Sequence, residues 1–174
     1  MSSSVILKVK CKPYLVSFLE TLHGKSPISF PKNSNFNTIL DVYLDKPPLA
    51  YIESDYGESF LEIRLPYFEF KDIRSYNYLS PSNERIFVKE IWKFFKITFR
   101  RETSQQILRG LEKQEALEIF IKKYNLSQDC WDMLDKDFQR YVKTRQKNKL
   151  FRNKKNSSVK DPVCPAHSEY SLAM

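Results

Sequence analysis

Residues 80–109 read SPSNERIFVKEIWKFFKITFRRETSQQILR, and this stretch decides the fold. Ser80 followed by Pro81 is typical of a helix start, because serine caps free N–H groups and proline is well tolerated at the first helical position. Apolar residues then recur at helical spacing on two sides, which is typical of a central buried helix. The positions are Val88, Ile91, Trp92, Phe95 and Phe99 on one side, and Phe87, Phe94 and Ile97 on the other.

Four basic residues follow the period of this predicted helix. They recur at i, i+4, i+7 and i+11, a spacing that places them on one narrow strip of the helix surface. Such a strip is either a solvated ridge or a ridge that faces phosphate groups, and the sequence leaves both interpretations open. Its members are Lys89, Lys93, Lys96 and Arg100.

The residues before the central helix predict a small sheet and two shorter helices. Residues 5–11 alternate between apolar and mostly basic side chains, a period of two that is typical of a half-buried strand. Pro13 opens a helical pattern, and Ser34 is a typical cap for a second helix. Residues 49–54 and 59–65 are predicted to pair with each other as a hairpin.

Residues 67–78 bring five aromatic side chains close to basic ones. Aromatics interleaved with Lys71 and Arg74 are able to stack on nucleic-acid bases. Packing inside the fold is the more frequent use of such residues, and an aromatic surface also suits a protein partner or a second copy of the chain. The aromatics are Tyr67, Phe68, Phe70, Tyr76 and Tyr78.

Two further helices are predicted after the central one, the first at 112–123. Asn125 is expected to take the left-handed conformation that ends it, and Ser127 to cap the next helix. This order fits the helix-turn-helix motif, although any tight helical hairpin shares the pattern. Aspartates at the start of the last helix would repel phosphates, so its C-terminal half and the residues beyond are predicted to make the contacts. The aspartates are Asp129, Asp132, Asp135 and Asp137.

The net charge of the 174-residue chain is +8, and the excess lies in one segment. Residues 143–160 hold eight basic side chains and no acidic one, whereas the rest of the chain is balanced overall. Cations at this density repel one another unless a polyanion neutralises them, which predicts binding to nucleic acid. The alternatives are a solvated tail and an anionic membrane surface, the latter disfavoured because the segment has few apolar anchors. The predicted contacts are Arg140, Lys143, Arg145, Lys147, Lys149, Arg152, Lys154 and Lys155, with Lys89, Lys93, Lys96 and Arg100 as a second set.

Several kinds of enzymatic site lack their residues in this sequence. Its three glycines lie far apart, so neither a P-loop nor a dinucleotide-binding loop is present. Three cysteines without metal-ligand spacing and two histidines leave no zinc motif, and Cys11 and Cys130 are expected to be buried thiols. We therefore predict no enzymatic activity, no cofactor and no metal. A metal-dependent nuclease built on the aspartates is the remaining enzymatic alternative.

The N-terminal strand offers a second way to bind DNA. A strand with a basic face followed by two helices resembles the order of ribbon-helix-helix regulators, in which strands of two protomers enter the major groove. The resemblance covers about residues 5–44, requires a dimer, and assigns the basic face to Lys8, Lys10 and Lys12. The long proline-containing linker between the two helices departs from those minimal domains.

Short strings spread along the chain carry a resemblance to known proteins. They are Lys12-Pro13-Tyr14, Phe30-Pro31-Lys32-Asn33-Ser34, Tyr124-Asn125-Leu126-Ser127 with Trp131, and Lys136-Asp137-Phe138-Gln139-Arg140-Tyr141. Over residues 5–145 the chain resembles small, poorly characterised proteins of bacterial mobile elements and phages that carry a C-terminal helix-turn-helix-like segment. The resemblance implies an accessory or DNA-associated role and carries over no catalytic residue.

Together these patterns predict an α+β protein dominated by three to five helices, with a small antiparallel sheet and a basic C-terminal tail. One compact domain is expected at 1–156, with sub-units at 1–80 and 81–156 as an alternative, followed by a flexible tail at 157–174. No apolar run approaches the roughly 18 residues of a membrane span, so no membrane partner is expected.

The predicted function is non-catalytic binding of nucleic acid, above all duplex DNA, as a regulator or accessory factor of a phage or mobile element. Its expected location is the cytoplasm, or the virion for a phage protein. The alternative is a structural or assembly protein that binds a protein partner through its aromatic surface and has no sequence-specific DNA binding.

Overall fold

The computed structural model describes residues 5–49 and 59–157, with side chains as far as residue 147. This part of the chain is a helix-dominated α+β fold with five α-helices and one two-stranded antiparallel sheet, as predicted. The elements are β1 Ile6–Lys10, α1 Pro13–His23, α2 Asn35–Tyr43, β2 Phe60–Arg64, α3 Pro81–Leu108, α4 Lys113–Lys123, a 3₁₀ turn Gln128–Cys130, and α5 Trp131–Ser157.

Helix α3 is the central element, and its start is the predicted one. The hydroxyl of Ser80 accepts a hydrogen bond from the backbone N–H of Asn83 at 3.3 Å, and Pro81 occupies the first turn. The helix contacts α1, α2, α4 and β1. Each of the two predicted apolar sides is buried in part, so the prediction of two fully buried sides is wrong in part. Buried are Phe87, Ile91, Phe95 and Phe99, whereas Trp92, Phe94 and Ile97 are exposed.

The sheet pairs β1 with β2, two strands that are far apart in the sequence. Their antiparallel register places Leu7 opposite Ile63 and Val9 opposite Leu61, and all four side chains are buried, as the alternation predicts. Ile28 adds a short bridge to the far side of β2. The second arm of the predicted hairpin is β2, but its observed partner is β1, and residues 50–58 of the first arm lie outside the described residues.

Helices α1 and α2 begin where the sequence predicts. Pro13 is the first residue of α1, and the hydroxyl of Ser34 accepts a hydrogen bond from the backbone N–H of Asn37 at 3.2 Å. The buried side-chain amide of Asn37 donates to the carbonyls of Phe30 and Pro31, at 3.1 and 2.8 Å. These bonds fix the proline-containing connection against the first turn of α2, because a buried amide needs partners.

The core of the described part of the chain contains a cluster of aromatic side chains from α1, α3 and α4. The rings of Phe18 and Phe95 meet edge to face with centroids 5.0 Å apart, and those of Phe99 and Phe120 do the same at 5.0 Å. Tyr124 lies 4.8 Å from Phe18. Aromatic pairs at such distances add to the stabilisation that burial alone gives.

By compactness the chain divides into two units, Met1–Asp135 and Lys136–Met174. Helix α5 begins in the first unit and runs on through the described residues of the second. The predicted flexible tail at 157–174 lies, apart from residue 157, outside the described residues. None of the helices in the described part is long and apolar enough to cross a membrane.

Candidate nucleic-acid interface

The basic segment of the sequence is largely helical, since α5 continues to Ser157. No glycine or proline occurs between Trp131 and Ser157, and the segment is rich in lysine, arginine and glutamine, which favour helices. The basic residues of this segment are therefore arranged around the axis of α5 with the helical period as far as Ser157. Of the predicted contacts beyond Lys147, the described backbone includes Lys149, Arg152, Lys154 and Lys155, whose side chains lie outside the described part.

Three of the predicted contacts share one face of α5. Arg140, Lys143 and Lys147 stand at i, i+3 and i+7, a spacing that brings side chains together on one side of a helix over about 10 Å of its axis. All three are exposed. Among the described residues, none of them has an acidic partner. We call this set the α5 cationic face.

Arg145 does not belong to this face. Its Nη1 donates a hydrogen bond to the hydroxyl of Tyr141 at 3.2 Å, and its guanidinium carbon lies 6.0 Å from the centroid of that ring. The contact at i and i+4 holds Arg145 on another side of the helix. Arg145 was predicted together with the three residues of this face because a count of charges along the chain ignores the direction of each side chain.

The four predicted cations of α3 lie on one strip of the helix but differ in their surroundings. Lys93 pairs with Glu90, with Nζ and Oε1 2.5 Å apart. The ammonium of Lys96 lies 4.0 Å from the ring centroid of Trp92, a cation–π distance. Arg100 is half-buried, and Lys89 lines a groove at the start of the helix. The surroundings of these side chains therefore differ from one to the next.

That groove lies where the end of β1 approaches the first turns of α3. The backbone N–H of Lys10 donates to Oε1 of Glu84 at 2.6 Å and connects the two elements. The groove has a volume of about 640 Å³ and is called the β1–α3 groove below. Its lining consists of Lys10, Lys12, Tyr14, Leu15, Pro81, Glu84, Arg85, Val88, Lys89 and Trp92.

The sequence predicted roles for some residues of this groove but not that they lie together. Lys10 and Lys12 were predicted on a ribbon face, Lys89 on a helical ridge and Trp92 on an apolar side of the central helix. Arg85 and Tyr14 received no role. Lys8, the third member of the ribbon face, lies over the ring of Phe60 at 5.8 Å. No local pattern signals the groove, because it forms only when residues about 74 positions apart pack together.

Asp129 and Asp135, near the start of α5, have ordinary partners. The hydroxyl of Ser127 hydrogen-bonds the Asp129 carboxylate at 2.9 Å, and Asp135 lies 2.6 Å from the ammonium of Lys113. Among the described residues, no group of three or more His, Cys, Asp or Glu side chains could hold a metal ion.

The thiols of the described part are buried, as predicted. Burial raises the pKa of Cys11 to about 11, and burial followed by the nearby charge of Asp129 raises the pKa of Cys130. Both side chains are therefore protonated at neutral pH, when a thiol is a poor nucleophile.

No family model, no curated protein and no solved structure matches this chain. Its class is therefore defined by its own fold and surface: a helix-dominated α+β protein that carries a cationic helical face and a basic, aromatic-lined groove.

Proposed function

We propose that this protein is a non-catalytic nucleic-acid-binding protein that contacts duplex DNA through the α5 cationic face. The observation that supports this most directly is the exposure of Arg140, Lys143 and Lys147 on one side of a helix without acidic partners in the described part. Three cations so close repel one another, and a chain of phosphates relieves the repulsion and releases its own counterions on binding.

A duplex fits the shape of this face. The cations follow the axis of a helix for about 10 Å, and the major groove, about 12 Å wide, admits an α-helix with phosphates along both of its edges. Contacts to phosphates position a protein but carry little sequence information. The protein is accordingly proposed to bind duplex DNA with a strong dependence on salt and a modest preference for sequence.

The start of α5 is proposed to point away from the phosphates. Asp129 and Asp132 are exposed there, and each carboxylate would be repelled by a phosphate-lined groove. These carboxylates are therefore proposed to make no contact with the DNA. In biological terms, we propose a regulator or accessory factor of a phage or mobile element, acting in the cytoplasm.

A mobility-shift assay with labelled duplex DNA tests the proposal. The variant Arg140→Gln/Lys143→Gln/Lys147→Gln removes the α5 cationic face but keeps side chains that favour helices. We expect it to lose most of its affinity while its circular dichroism stays unchanged. Wild-type affinity in this folded variant would contradict the proposal.

Two controls separate the cationic face from net charge. The first, Lys25→Gln/Lys32→Gln/Lys122→Gln, removes the same number of exposed cations from elsewhere on the chain. The second, Arg145→Gln, removes the neighbouring arginine that is bound to Tyr141. Both are expected to bind duplex DNA more tightly than the test variant. An equal loss in the first control would show that only total charge matters.

A structural or assembly role is the second candidate function. Tyr67 and Phe70 are 80% and 88% exposed, and Ile97 on α3 is 63% exposed, although large apolar side chains are usually covered. An assembly protein would associate with itself or a partner without nucleic acid. Light scattering that detects oligomers in wild type, and fewer in Tyr67→Ser/Phe70→Ser, would favour this role.

A further inference from the structure

The β1–α3 groove combines two kinds of lining. Its basic side chains are Lys10, Lys12, Arg85 and Lys89, and its single acidic residue is Glu84. One oxygen of that carboxylate already accepts the backbone N–H of Lys10. The four cations thus outnumber the acidic charge, and the groove attracts anions.

The rest of the lining is mostly apolar and includes an aromatic surface. Trp92 is 40% exposed and lies in the lining together with Tyr14. The ring of Tyr14 in turn packs against the buried Phe95, with centroids 5.4 Å apart. The ammonium of Lys96 lies over the indole at 4.0 Å. An exposed indole, in cation–π contact with Lys96, therefore lies beside the cations of the groove.

We propose that the β1–α3 groove binds a nucleotide unit, whose base packs against Trp92 while Lys10, Lys12, Arg85 and Lys89 hold its phosphate. An inorganic anion would use only the cations, whereas a base accounts for the aromatic half of the lining as well. The volume of about 640 Å³ lies within the usual range for small-ligand sites, about 300–1,000 Å³.

The nucleotide unit has two sources, a free mononucleotide or an unpaired nucleotide within a single strand. In both cases the groove binds the same two groups, a base and a phosphate. The proposal does not rest on duplex binding by α5, because the groove lies within the unit Met1–Asp135 and the α5 cationic face within Lys136–Met174.

Calorimetric titration of the full chain with AMP, single-stranded oligothymidylate and inorganic phosphate tests the proposal. We expect AMP or the oligonucleotide to bind more tightly than phosphate. AMP that binds at least as tightly as the oligonucleotide would identify a free nucleotide as the source, and an oligonucleotide that binds more tightly than AMP would identify a single strand. If neither binds, or if phosphate binds as tightly as AMP and the oligonucleotide, the proposal is wrong.

Variants assign the binding to the groove. Arg85→Gln/Lys89→Gln should weaken nucleotide binding by at least about tenfold, because charge-assisted hydrogen bonds to phosphate are lost. Trp92→Leu should weaken it by at least about fivefold and leave phosphate binding unchanged, whereas Trp92→Tyr keeps an aromatic ring and should restore most of the affinity. Wild-type affinity in a folded Trp92→Leu variant would overturn the assignment.

Two further variants separate this proposal from the one on duplex DNA. Lys25→Gln/Lys32→Gln, which removes exposed cations outside the groove, should bind nucleotide like wild type. Arg140→Gln/Lys143→Gln/Lys147→Gln should lose duplex binding and keep nucleotide binding. If this last variant loses the nucleotide while the groove variants keep it, the nucleotide site is not in the groove.

Discussion

The buried hydroxyl of Tyr124 donates a hydrogen bond of 2.8 Å to Oε1 of Glu102, which joins the end of α4 to the C-terminal part of α3. The other oxygen of the same carboxylate accepts from the ammonium of Lys123, also at 2.8 Å. Burial, followed by the hydrogen bond with Glu102, raises the pKa of the Tyr124 phenol. The phenol therefore stays protonated and remains a donor at neutral pH.

Replacing Tyr124 by phenylalanine should lower the free energy of unfolding by about 1–2 kcal/mol, because the ring packing stays while a bond to a charged acceptor is lost. Lys123→Gln should have a smaller effect, below about 1 kcal/mol, since this lysine is half exposed and solvent screens its ion pair. Urea denaturation of both variants measures the difference. An equal loss of unfolding free energy in both variants would show that the buried hydroxyl contributes no more than the exposed ion pair.

The ammonium of Lys71 caps the end of α2. It donates hydrogen bonds to the backbone carbonyl of Asp41 and to that of Leu44, the latter at 2.9 Å. Cations stabilise helix C-termini because the last carbonyls lack partners within the helix. Lys71→Met should therefore reduce stability by about 1–2 kcal/mol. Lys32→Met, an exposed lysine outside any helix, is the control in the same thermal and urea unfolding experiments, and a similar loss there would contradict the capping role.

Features that depend on neighbouring residues were predictable from the sequence. The caps at Ser34 and Ser80 and the helix start at Pro13 follow from the chemistry of a few adjacent residues. Asn125 was expected in the left-handed region, and its φ is 48°. The buried positions of β1 likewise follow from an alternation visible in five residues.

Features that depend on distant residues were not predictable. Lys71 was interpreted beside the aromatics of its own segment, yet the carbonyls that it caps lie about 30 residues earlier. The partner of β2 is β1 because pairing is decided by the packing of the whole core and not by adjacency. Likewise, the exposure of Trp92 depends on which elements pack against α3, and the helical period of the sequence does not show which elements these are.

The stability of the protein should fall in mild acid because of His23. Its ring meets Phe30 edge to face at 5.2 Å, and burial holds its pKa below the ordinary value of 6.5. As the pH falls, the imidazole of His23 therefore takes up a proton in the unfolded chain before it does so in the folded protein. The contribution of neutral His23 to stability is complete above about pH 6.5 and is lost as the pH falls toward the lower pKa of the folded protein. His23→Phe removes the titration, so its unfolding free energy should drop less than that of wild type between neutral and mildly acidic pH. Parallel declines would contradict this role.

Gly110 should resist substitution for reasons of backbone conformation alone. Its φ is +97°, a region that L-residues rarely adopt, and a methyl group there would meet nothing within 4 Å. Gly110→Ala should therefore destabilise by about 1–2 kcal/mol through strain and not through a clash. Asn125→Gly, at φ 48°, relieves the same kind of strain and should be neutral or slightly stabilising. Urea unfolding that ranks the two variants in the opposite order would contradict this account.

The salt dependence of duplex binding should report on the α5 cationic face directly. Each phosphate contact contributes about 0.9 to the slope of log affinity against log salt, so Arg140→Gln/Lys143→Gln/Lys147→Gln should reduce its magnitude by about 2.7. Arg145→Gln should reduce it by less than about 0.9, because Tyr141 already binds that guanidinium. Fluorescence anisotropy with labelled duplex DNA over a series of salt concentrations gives both slopes. If the triple variant binds more weakly with an unchanged slope, the three cations do not touch phosphates and their effect on binding is indirect.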